Sequence, residues 1–287
     1  MQVTKPNLKK LKKQFPNLEP SRIVLYVILI MIIIITLLPL WSAVMTAFKT
    51  KEQTQVTSPY DFPTNPTLEP LITTFGTMFQ PLINSLVFTV IGTILSCLIG
   101  SITGYALSKF KFRGSEAMFL FIITGIFIPY QAVLIPLVIT MVQLHLFDTV
   151  LALIITHTAY GIPICTLLFR SFYEEIPDSL IKAAIMDGAG TLRIYRRIIL
   201  PLSPLAFVVA TVFQFTNIWN DFLFGLVLSG TSAKPASVAL ANLKGSSVAL
   251  WHYQMAGVLW YSIPSLIVYF LLGKYLIKGF MTGAIKG

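Results

Sequence analysis

Amide, hydroxyl and carboxylate side chains recur within one strongly apolar stretch of the sequence, residues 203–228. At about 100° per residue along a helix, these side chains occupy roughly half of the circumference. They are Gln214, Thr216, Asn217, Asn220 and Asp221. Such a face can form hydrogen bonds with a hydroxylated solute that crosses a membrane, or with a neighbouring helix. For the asparagines the pattern favours neither interpretation.

Asp221 is the only acidic residue in the apolar stretches of this chain. A carboxylate in lipid is costly enough to be a functional candidate by default. We expect Asp221 to lie towards the end of its helix that faces the outside of the cell, and we favour a hydrogen bond to backbone or to a partner helix there. Weaker candidates for the same solute path are Asn84, Tyr130 and Gln131.

Other reactive residue types are too scattered to predict an enzyme or a metal site. The three histidines, His145, His157 and His252, have no Asp, Glu or Cys at ligand spacing. Cys97 and Cys165 both fall inside apolar runs, so we interpret them as packing residues. The sequence has no Gly-x-x-x-x-Gly-Lys-Ser/Thr phosphate loop. We therefore expect no catalytic residues, no metal and no cofactor bound by this chain.

The elements that must carry these residues are membrane helices. Hydrophobic residues make up 55% of the 287 residues and charged residues only 11%, against about a quarter charged in soluble proteins. Six stretches reach the roughly 20 apolar residues that a spanning helix needs. They are residues 23–48, 82–107, 117–142, 150–169, 203–228 and 256–277. The fold class predicted is therefore all-α, a polytopic membrane protein with six transmembrane helices.

Basic residues show which ends of these helices face the cytoplasm. Of the 21 Lys and Arg residues, 17 lie in the N-terminus, the turn 108–116, the loop 170–202 and the C-terminal end from Lys274. Only Lys49, Lys51, Lys234 and Lys244 lie in the opposite loops. By the positive-inside rule, both termini are predicted to be cytoplasmic. The basic residues behind the net charge of +10 flank apolar runs, which argues against a nucleic-acid partner. We interpret the N-terminal lysines as a topology signal beside the first span, with a segment that binds membrane lipid as the alternative.

The loop 170–202 carries the most structured sequence pattern outside the membrane. Pro177 and Asp178 are typical of a helix start, and Gly188 and Gly190 of a helix end. A second, basic amphipathic helix is predicted to end at Leu200-Pro201. Two short helices of this kind make a compact docking surface, while a purely structural linker is the alternative, and the pattern alone leaves both open.

The same loop resembles the "EAA" signature of ABC importer permeases, in which Glu-Ala-Ala is followed by Asp-Gly-Ala and Ile-x-Leu-Pro. The matching residues are Ala183, Ala184, Asp187, Gly188, Ala189, Ile198, Leu200 and Pro201. One departure is Lys182, which stands at the glutamate position. If that glutamate normally pairs with a basic residue on the ATPase, Lys182 would repel that residue, so either the ATPase of this chain differs there or the pair is absent.

The resemblance covers nearly the whole chain and narrows to the MalG-like branch of carbohydrate permeases. Short strings that carry it include Asn84-Ser85-Leu86, Leu146-Phe147-Asp148-Thr149, Trp219-Asn220-Asp221-Phe222 and the glycine-rich C-terminus. It implies that the coupling helix, including Pro177 and Lys182, sits in a cleft of an ATPase subunit. It also implies that the tail, with Gly283, Lys286 and Gly287, reaches the ATPase dimer.

The resemblance further implies the function and the partners. The chain would be the permease subunit of an ATP-driven, binding-protein-dependent importer in the cell (inner) membrane, for a sugar or oligosaccharide, and it would work by alternating access. Its partners would be a second homologous permease, two ATPase subunits that bind ATP and Mg, and an external solute-binding protein. Alternatives are a permease for another polar solute such as glycerol phosphate, and an ion-coupled secondary transporter.

The expected domain organisation follows from spans and loops together. Residues 1–22 form a basic cytoplasmic N-terminus, residues 23–277 the six-helix permease domain, and residues 278–287 a cytoplasmic tail. Within the permease domain, the coupling loop is 170–202. The outer loops 49–81 and 229–255 show no core of their own, so we expect them to be docking or capping surfaces.

Overall fold

The computed structural model of the chain describes residues 20–243 and 250–284, and its regular elements are helices. In chain order they are α1 Pro20–Ala47, α2 Lys51–Val56, α3 Glu69–Lys109, α4 Ser115–Thr124, α5 Tyr130–Gln143, α6 Val150–Glu174, α7 Asp178–Met186, α8 Thr191–Leu202, α9 Pro204–Trp219, α10 Leu223–Leu228, α11 Ala236–Asn242 and α12 Trp251–Ala284. A 3-10 turn, Gly125–Phe127, continues α4.

Four helices in the described part of the chain are long and apolar enough to cross a membrane. They are α1, α3, α6 and α12. Two more spans are formed if each of two bent pairs is counted once: α4 with α5, bent by 93°, and α8 with α9, bent by 79°. Six spans counted in this way agree with the predicted number, and the fold is all-α. The second pair differs from the predicted fifth span, because it includes residues 191–202, which were predicted to belong to the cytoplasmic loop.

The predicted third span, 117–142, is wrong as a single helix. The chain bends between the 3-10 turn and α5, where Ile128 is extended (φ −71°, ψ 115°). Pro129 follows and caps α5. Proline disfavours a helical conformation in the residue before it and cannot donate the helical hydrogen bond, so the helix stops here.

The predicted fifth span, 203–228, is also interrupted. α9 ends at Trp219, and α10 begins only at Leu223. The break is stabilised because the Asp221 carboxylate accepts a hydrogen bond from Gly225 N–H at 3.1 Å, inside the first turn of α10. The polar residues predicted to lie along one helix face therefore lie partly on α9 and partly on this break.

The outer loop 49–81 has more structure than the sequence indicated. It contains α2, and its last residues already belong to α3, which is 41 residues long and begins at Glu69. Thr50 caps α2 in a capping box with Gln53. Lys49 is buried and donates hydrogen bonds from Nζ to Thr57 Oγ1 at 2.9 Å and to Ser58 O at 2.6 Å.

The close pair at the centre of the fold is α3 and α6. A Cβ added at Gly104 of α3 would lie 2.8 Å from the backbone nitrogen of Arg170 in α6, and one at Gly100 would overlap Cys165. Small residues allow membrane helices to approach closely in this way. Cys97 and Cys165 are both free and buried at this interface, which confirms that they are packing residues.

α1 stands apart from that core. Its membrane-spanning part is exposed on all sides within the chain, and only its last turns, with Ala43, Thr46 and Ala47, are buried. A helix that is apolar on every face must be covered by lipid or by another membrane protein.

Candidate functional site: a membrane cavity and a docking surface

α7 begins and ends with the residues that the sequence singled out. Pro177 is its N-cap and Asp178 its first residue. After the last residue, Gly188 adopts a left-handed conformation (φ +74°), and Ala189 N–H donates to Ala184 O at 2.9 Å, as in glycine-terminated helices. The prediction that Gly190 also ends this helix is wrong, because Gly190 is extended and is the N-cap of α8.

The two helices α7 and α8 form a hairpin that is fastened to α3. Lys109 Nζ, near the end of α3, donates to Ile176 O at 2.6 Å and to Asp178 Oδ1 at 2.9 Å. The hydrogen bond from Lys109, and then its charge, hold the pKa of Asp178 below its ordinary value. Tyr105 of α3 donates from its hydroxyl to Thr191 O at 3.1 Å, at the start of α8.

A buried group of hydroxyls adds a second attachment. Ser101 Oγ of α3 lies 2.6 Å from the hydroxyl of Tyr173 in α6 and 2.7 Å from that of Tyr195 in α8. All three residues are buried. The α7–α8 hairpin is therefore joined to both central helices, so a displacement of the hairpin would be transmitted to α3 and α6.

The signature residues divide into an exposed set and a packed set. Lys182, Ala183, Asp187, Gly188 and Pro201 are exposed, and Pro177 is exposed at the start of α7. Ala184, Ala189, Ile198 and Leu200 are half-buried against the core around Ile181, Ile194 and Ile199. The second set holds the hairpin together, while the first remains free to contact another molecule.

The exposed residues of the hairpin include four large apolar side chains. Met186 is 87% exposed and Leu192 59% exposed, and Leu180 and Ile185 are also exposed. Exposed apolar groups that cluster on a surface outside the membrane indicate a site of protein contact. On α7, Leu180, Ala183 and Met186 are exposed, whereas Ala184 is turned towards the core.

The polar residues of the fifth span line a cavity of about 530 Å³. Five of the seven predicted path residues line it: Tyr130, Gln214, Asn217, Asn220 and Asp221. Gln214 is buried and donates to His157 O at 3.3 Å and to Ser96 Oγ at 3.4 Å, so this amide bonds to neighbouring helices. Asn217 and Asn220 are exposed, and their amides remain available at the wall.

The other two predicted path residues, Asn84 and Gln131, are not brought to this cavity. Asn84 is buried and donates from Nδ2 to Ser232 O at 3.0 Å and to Lys234 O at 3.2 Å. It thereby fastens the segment after α10 to α3. Gln131 is exposed at the start of α5.

The lining residues that sequence reasoning missed include His157, Tyr160 and Phe224. Phe224 is the centre of an aromatic cluster, with ring centroids 5.0 Å from Tyr160, 5.6 Å from His157 and 5.7 Å from Tyr130. The four rings come from α5, α6 and α10, so sequence spacing could not have grouped them. The one signal in the sequence was the spacing of His157 and Tyr160, which are three residues apart and therefore lie on the same face of α6.

His157 and Asp221 are neighbours in the cavity lining, with 3.8 Å between His157 Nε2 and Asp221 Oδ2. From the sequence we expected no acidic residue at ligand spacing from a histidine. In the folded chain, however, Asp221 lies close to His157 although the two are far apart in sequence. His157 is buried and stacks on Phe88, with ring centroids 5.5 Å apart. Within residues 20–243 and 250–284, no three His, Cys, Asp or Glu side chains come together as a metal-binding group.

The cavity lining offers two kinds of surface to a ligand, which we call its polar wall and its aromatic wall. The polar wall consists of the amides of Asn217 and Asn220 and the carboxylate of Asp221. The aromatic wall is the ring cluster around Phe224, and the two adjoin where His157 lies 3.8 Å from Asp221. Aromatic faces pack against apolar CH groups, and amides and carboxylates orient hydroxyl groups by hydrogen bonds. Lys and Arg are not among the described lining residues.

Beyond the cavity, Asp148 lies in the connection between α5 and α6. Burial alone would raise the pKa of Asp148, but hydrogen bonds from the backbone N–H groups of Ala233, Gly230 and Ser232 outweigh it and hold the pKa below its ordinary value. These N–H groups belong to the segment that follows α10. Asp148 is a residue to which sequence reasoning assigned no role.

The family described as binding-protein-dependent transport system inner membrane component matches residues 96–282. This range is more than half of the chain, and it contains both the hairpin and the polar residues of the cavity. The chain belongs to this family.

Two curated relatives of this permease family match almost their whole length. A probable ABC transporter permease protein of Pyrococcus horikoshii is 54% identical over 272 residues, 94% of this chain and 99% of that protein. The xylose/arabinose import permease protein XacI of Haloferax volcanii is 34% identical over 287 residues, 92% of this chain and 93% of that protein. The chain is thus a multi-pass membrane permease subunit of an ABC importer.

The fold also matches a solved permease structure. A bacterial ABC transporter involved in the import of the acidic polysaccharide alginate contains a chain that superposes with a TM-score of 0.72, at 23% identity, over 91% of this chain and 99% of that one. At this identity the likeness concerns the fold.

The predicted C-terminal tail, residues 278–287, is described only as far as Ala284, where α12 ends. Gly283 belongs to the last residues of α12, whereas Lys286 and Gly287 lie outside the described residues. Contact of the tail with an ATPase therefore stays a prediction.

Proposed function

We propose that this permease subunit imports a neutral sugar or short oligosaccharide through a pathway that includes the cavity around Asn217, Asn220 and Phe224. The observation that carries the proposal is the pairing of a polar wall with an aromatic wall inside the membrane-spanning part of the chain. Sugars present both hydroxyl groups and apolar CH faces, so they use both walls at once. The relative at 34% identity is named for xylose and arabinose import, which supports this class of solute.

An anionic solute such as glycerol phosphate fits this half of the pathway less well. The lining contains the carboxylate of Asp221 and, among the described residues, no Lys or Arg. A phosphate would be repelled by the carboxylate and would lack the charged donors that sites for phosphate use. A second permease completes the pathway in this proposal. For an anionic solute, that second permease would have to supply all of the positively charged groups.

Transport is driven, in this proposal, from the exposed face of the α7–α8 hairpin. That face, on the cytoplasmic side, docks on an ATPase subunit, and two such subunits bind ATP and Mg. The tyrosine and lysine contacts to α3 and α6 transmit the movement of the ATPases. The spans then alternate between states open to the cytoplasm and to the outside, where a solute-binding protein delivers the sugar.

α1 supports the proposal that a second, homologous permease is part of the assembly. Its spanning part is exposed within this chain, and the contacts that α1 as a whole makes are chiefly with α12. A partner permease and lipid together would cover it. Both termini are cytoplasmic in this arrangement.

The test is uptake by the complete transporter reconstituted in proteoliposomes, with its ATPases and binding protein. Asn217→Ala and Asn220→Ala each remove hydrogen bonds worth about 1 kcal/mol, so we expect KM for the transported sugar to rise roughly fivefold per variant. The matched control is Asn242→Ala, an exposed amide of α11 away from the cavity lining. Unchanged KM in both cavity variants would contradict the proposed pathway.

A further inference from the structure

Asp148 makes four hydrogen bonds to one short part of the chain. Its Oδ1 accepts from Gly230 N–H at 2.7 Å and from Ala233 N–H at 3.0 Å, and its Oδ2 accepts from Ser232 N–H at 3.2 Å. Its own N–H donates to Leu228 O at 3.0 Å, the last carbonyl of α10. We call Asp148 with Gly230, Ser232 and Ala233 the outer clamp.

The backbone of Asp148 is in an unusual conformation. Its φ is +56°, in the left-handed region that residues other than glycine rarely adopt. Such a conformation persists only where surrounding contacts determine it. Here the four hydrogen bonds supply those contacts, and they need the carboxylate to lie directly against the chain at Gly230. A Cβ at Gly230 would lie 2.8 Å from Asp148 Oδ2.

A second aspartate holds the other end of the same short helix. Asp221 Oδ2 accepts from Gly225 N–H at 3.1 Å in the first turn of α10, and Asp221 O accepts from Ser237 Oγ at 2.7 Å. α10 is therefore fixed at both ends, by Asp221 where it begins and by Asp148 where it ends. Between them lies Phe224, the centre of the aromatic wall of the cavity.

α3 fastens the segment after α10 from a third direction. Asn84 binds the carbonyls of Ser232 and Lys234, and Ser85 Oγ accepts from Ala236 N–H at 2.8 Å. The segment lies at the end of α9 and α10 away from the α7–α8 hairpin. In the proposed topology this is the outer side, and the segment belongs to the outer loop.

We propose that Asp148 is a positioning residue for transport: through the outer clamp it holds α10 and Phe224 across the outer end of the cavity. Loosening the clamp moves Phe224 and opens the cavity to the outside. The clamp thereby links the position of the outer loop to access of solute. This inference rests on the proposed pathway, but it makes a claim about access that does not depend on which solute is carried.

The test measures access directly, with Asn220→Cys as a reporter in the cavity wall. A membrane-impermeant maleimide is added to intact cells that express the complete transporter, and the labelling rate is measured. The native Cys97 and Cys165 are buried, and a version without the reporter gives the background. Asp148→Ala is expected to raise the labelling rate at least fivefold, and Asp148→Asn, which keeps one acceptor oxygen, is expected to raise it less.

The matched control is Asp61→Ala in the other outer loop. Asp61 Oδ2 accepts one loop N–H, that of Ser58, at 3.0 Å, and Asp61 is not among the described residues that line the cavity. Its labelling rate should stay within twofold of the parent. Gly230→Ala is a second perturbation of the same clamp that leaves Asp148 in place, and it should also raise the rate. It keeps the test decisive if Asp148→Ala does not assemble.

The rate of ATP hydrolysis by the complete transporter distinguishes a positioning role of Asp148 from a merely structural one. If the clamp holds the outer side closed, its loss lowers the cost of the outward-open state, so hydrolysis without binding protein should rise several-fold while stimulation by binding protein falls. Labelling rates of Asp148→Asn and Gly230→Ala equal to that of Asp61→Ala would overturn the inference. The clamp variants could also raise the labelling rate in a transporter that proves not to carry sugar. That result would support the role of Asp148 and overturn the proposed substrate.

Discussion

The hydroxyl of Tyr195 lies 2.7 Å from Ser101 Oγ, inside the buried region where α8 meets α3. Tyr195 belongs to the hairpin that would contact an ATPase, and Ser101 belongs to a membrane span. With Tyr173 on the other side of Ser101 at 2.6 Å, this contact joins three helices through one serine. We regard it as a part of the transmission between ATPase and cavity.

Tyr195→Phe should weaken that transmission without disrupting the core. The ring still packs against Tyr105, so the free energy of unfolding should fall by only about 1 kcal/mol for the lost hydrogen bond. Sugar transported per ATP hydrolysed should fall more than the amount of assembled complex. Tyr26→Phe, on the exposed surface of α1, is the control, and equal transport-to-hydrolysis ratios in the two variants would argue against a role for Tyr195.

Gly104 should tolerate no larger residue, because α6 lies directly against it. A Cβ there would be 2.8 Å from Arg170 N, so Gly104→Val forces α3 and α6 apart and should destabilise the protein by roughly 1–3 kcal/mol or more. Gly76→Ala, on the same helix with nothing within 4 Å of the added Cβ, should be neutral or stabilising. Thermal unfolding in detergent compares the two. Equal midpoints would mean that the helices are not packed as closely as described.

Asp221 should make the cavity selective against anions. Asp221→Asn keeps an oxygen that can accept from Gly225 N–H and removes the negative charge, so α10 should stay in place. We expect unlabelled glycerol phosphate to be a poor competitor of sugar uptake in the parent and a measurably better one in Asp221→Asn. Strong competition in the parent would favour an anionic substrate over a neutral sugar.

Lys182 should contact an acidic or neutral region of the ATPase rather than a basic one. It is exposed on α7 and stands where the family signature has glutamate. Lys182→Glu should therefore weaken binding of the ATPase of this transporter, by about 1 kcal/mol or more if an ion pair becomes a like-charge contact. Tighter binding of Lys182→Glu would show that the ATPase keeps a basic residue at this place.

Patterns local in sequence predicted much of this structure. The apolar runs predicted six spans, and Pro177, Asp178 and Gly188 marked the ends of α7 correctly because capping is decided within one turn of helix. Gly190 was misassigned since a glycine near a helix end can close one helix or begin the next. Here it begins α8.

What the sequence left out depends on contacts between distant residues. The break at Asp221 is stabilised by a hydrogen bond from Gly225, and hydropathy does not report such a bond. Asp148 binds residues more than 80 positions away, and Asn84, predicted to line the path, instead holds the segment after α10 across about 150 positions. Long-range pairings of this kind are set by packing of the helices, which one sequence without its structure does not define.

The measurement that tests the account most directly is capture of the tagged chain in mild detergent from cells that express the whole transporter. ATPase subunits and ATP hydrolysis per captured chain are then quantified. Met186 is 87% exposed on the hairpin and Phe112 is 46% exposed in the turn between α3 and α4, so Met186→Glu is compared with Phe112→Glu as its control.

The account predicts that ATPase subunits accompany the parent and Phe112→Glu, and that Met186→Glu, or replacement of Asp187-Gly188-Ala189, loses at least nine-tenths of them. A chain that transports sugar in the absence of any ATPase would contradict the account, as would full retention of the ATPase by Met186→Glu.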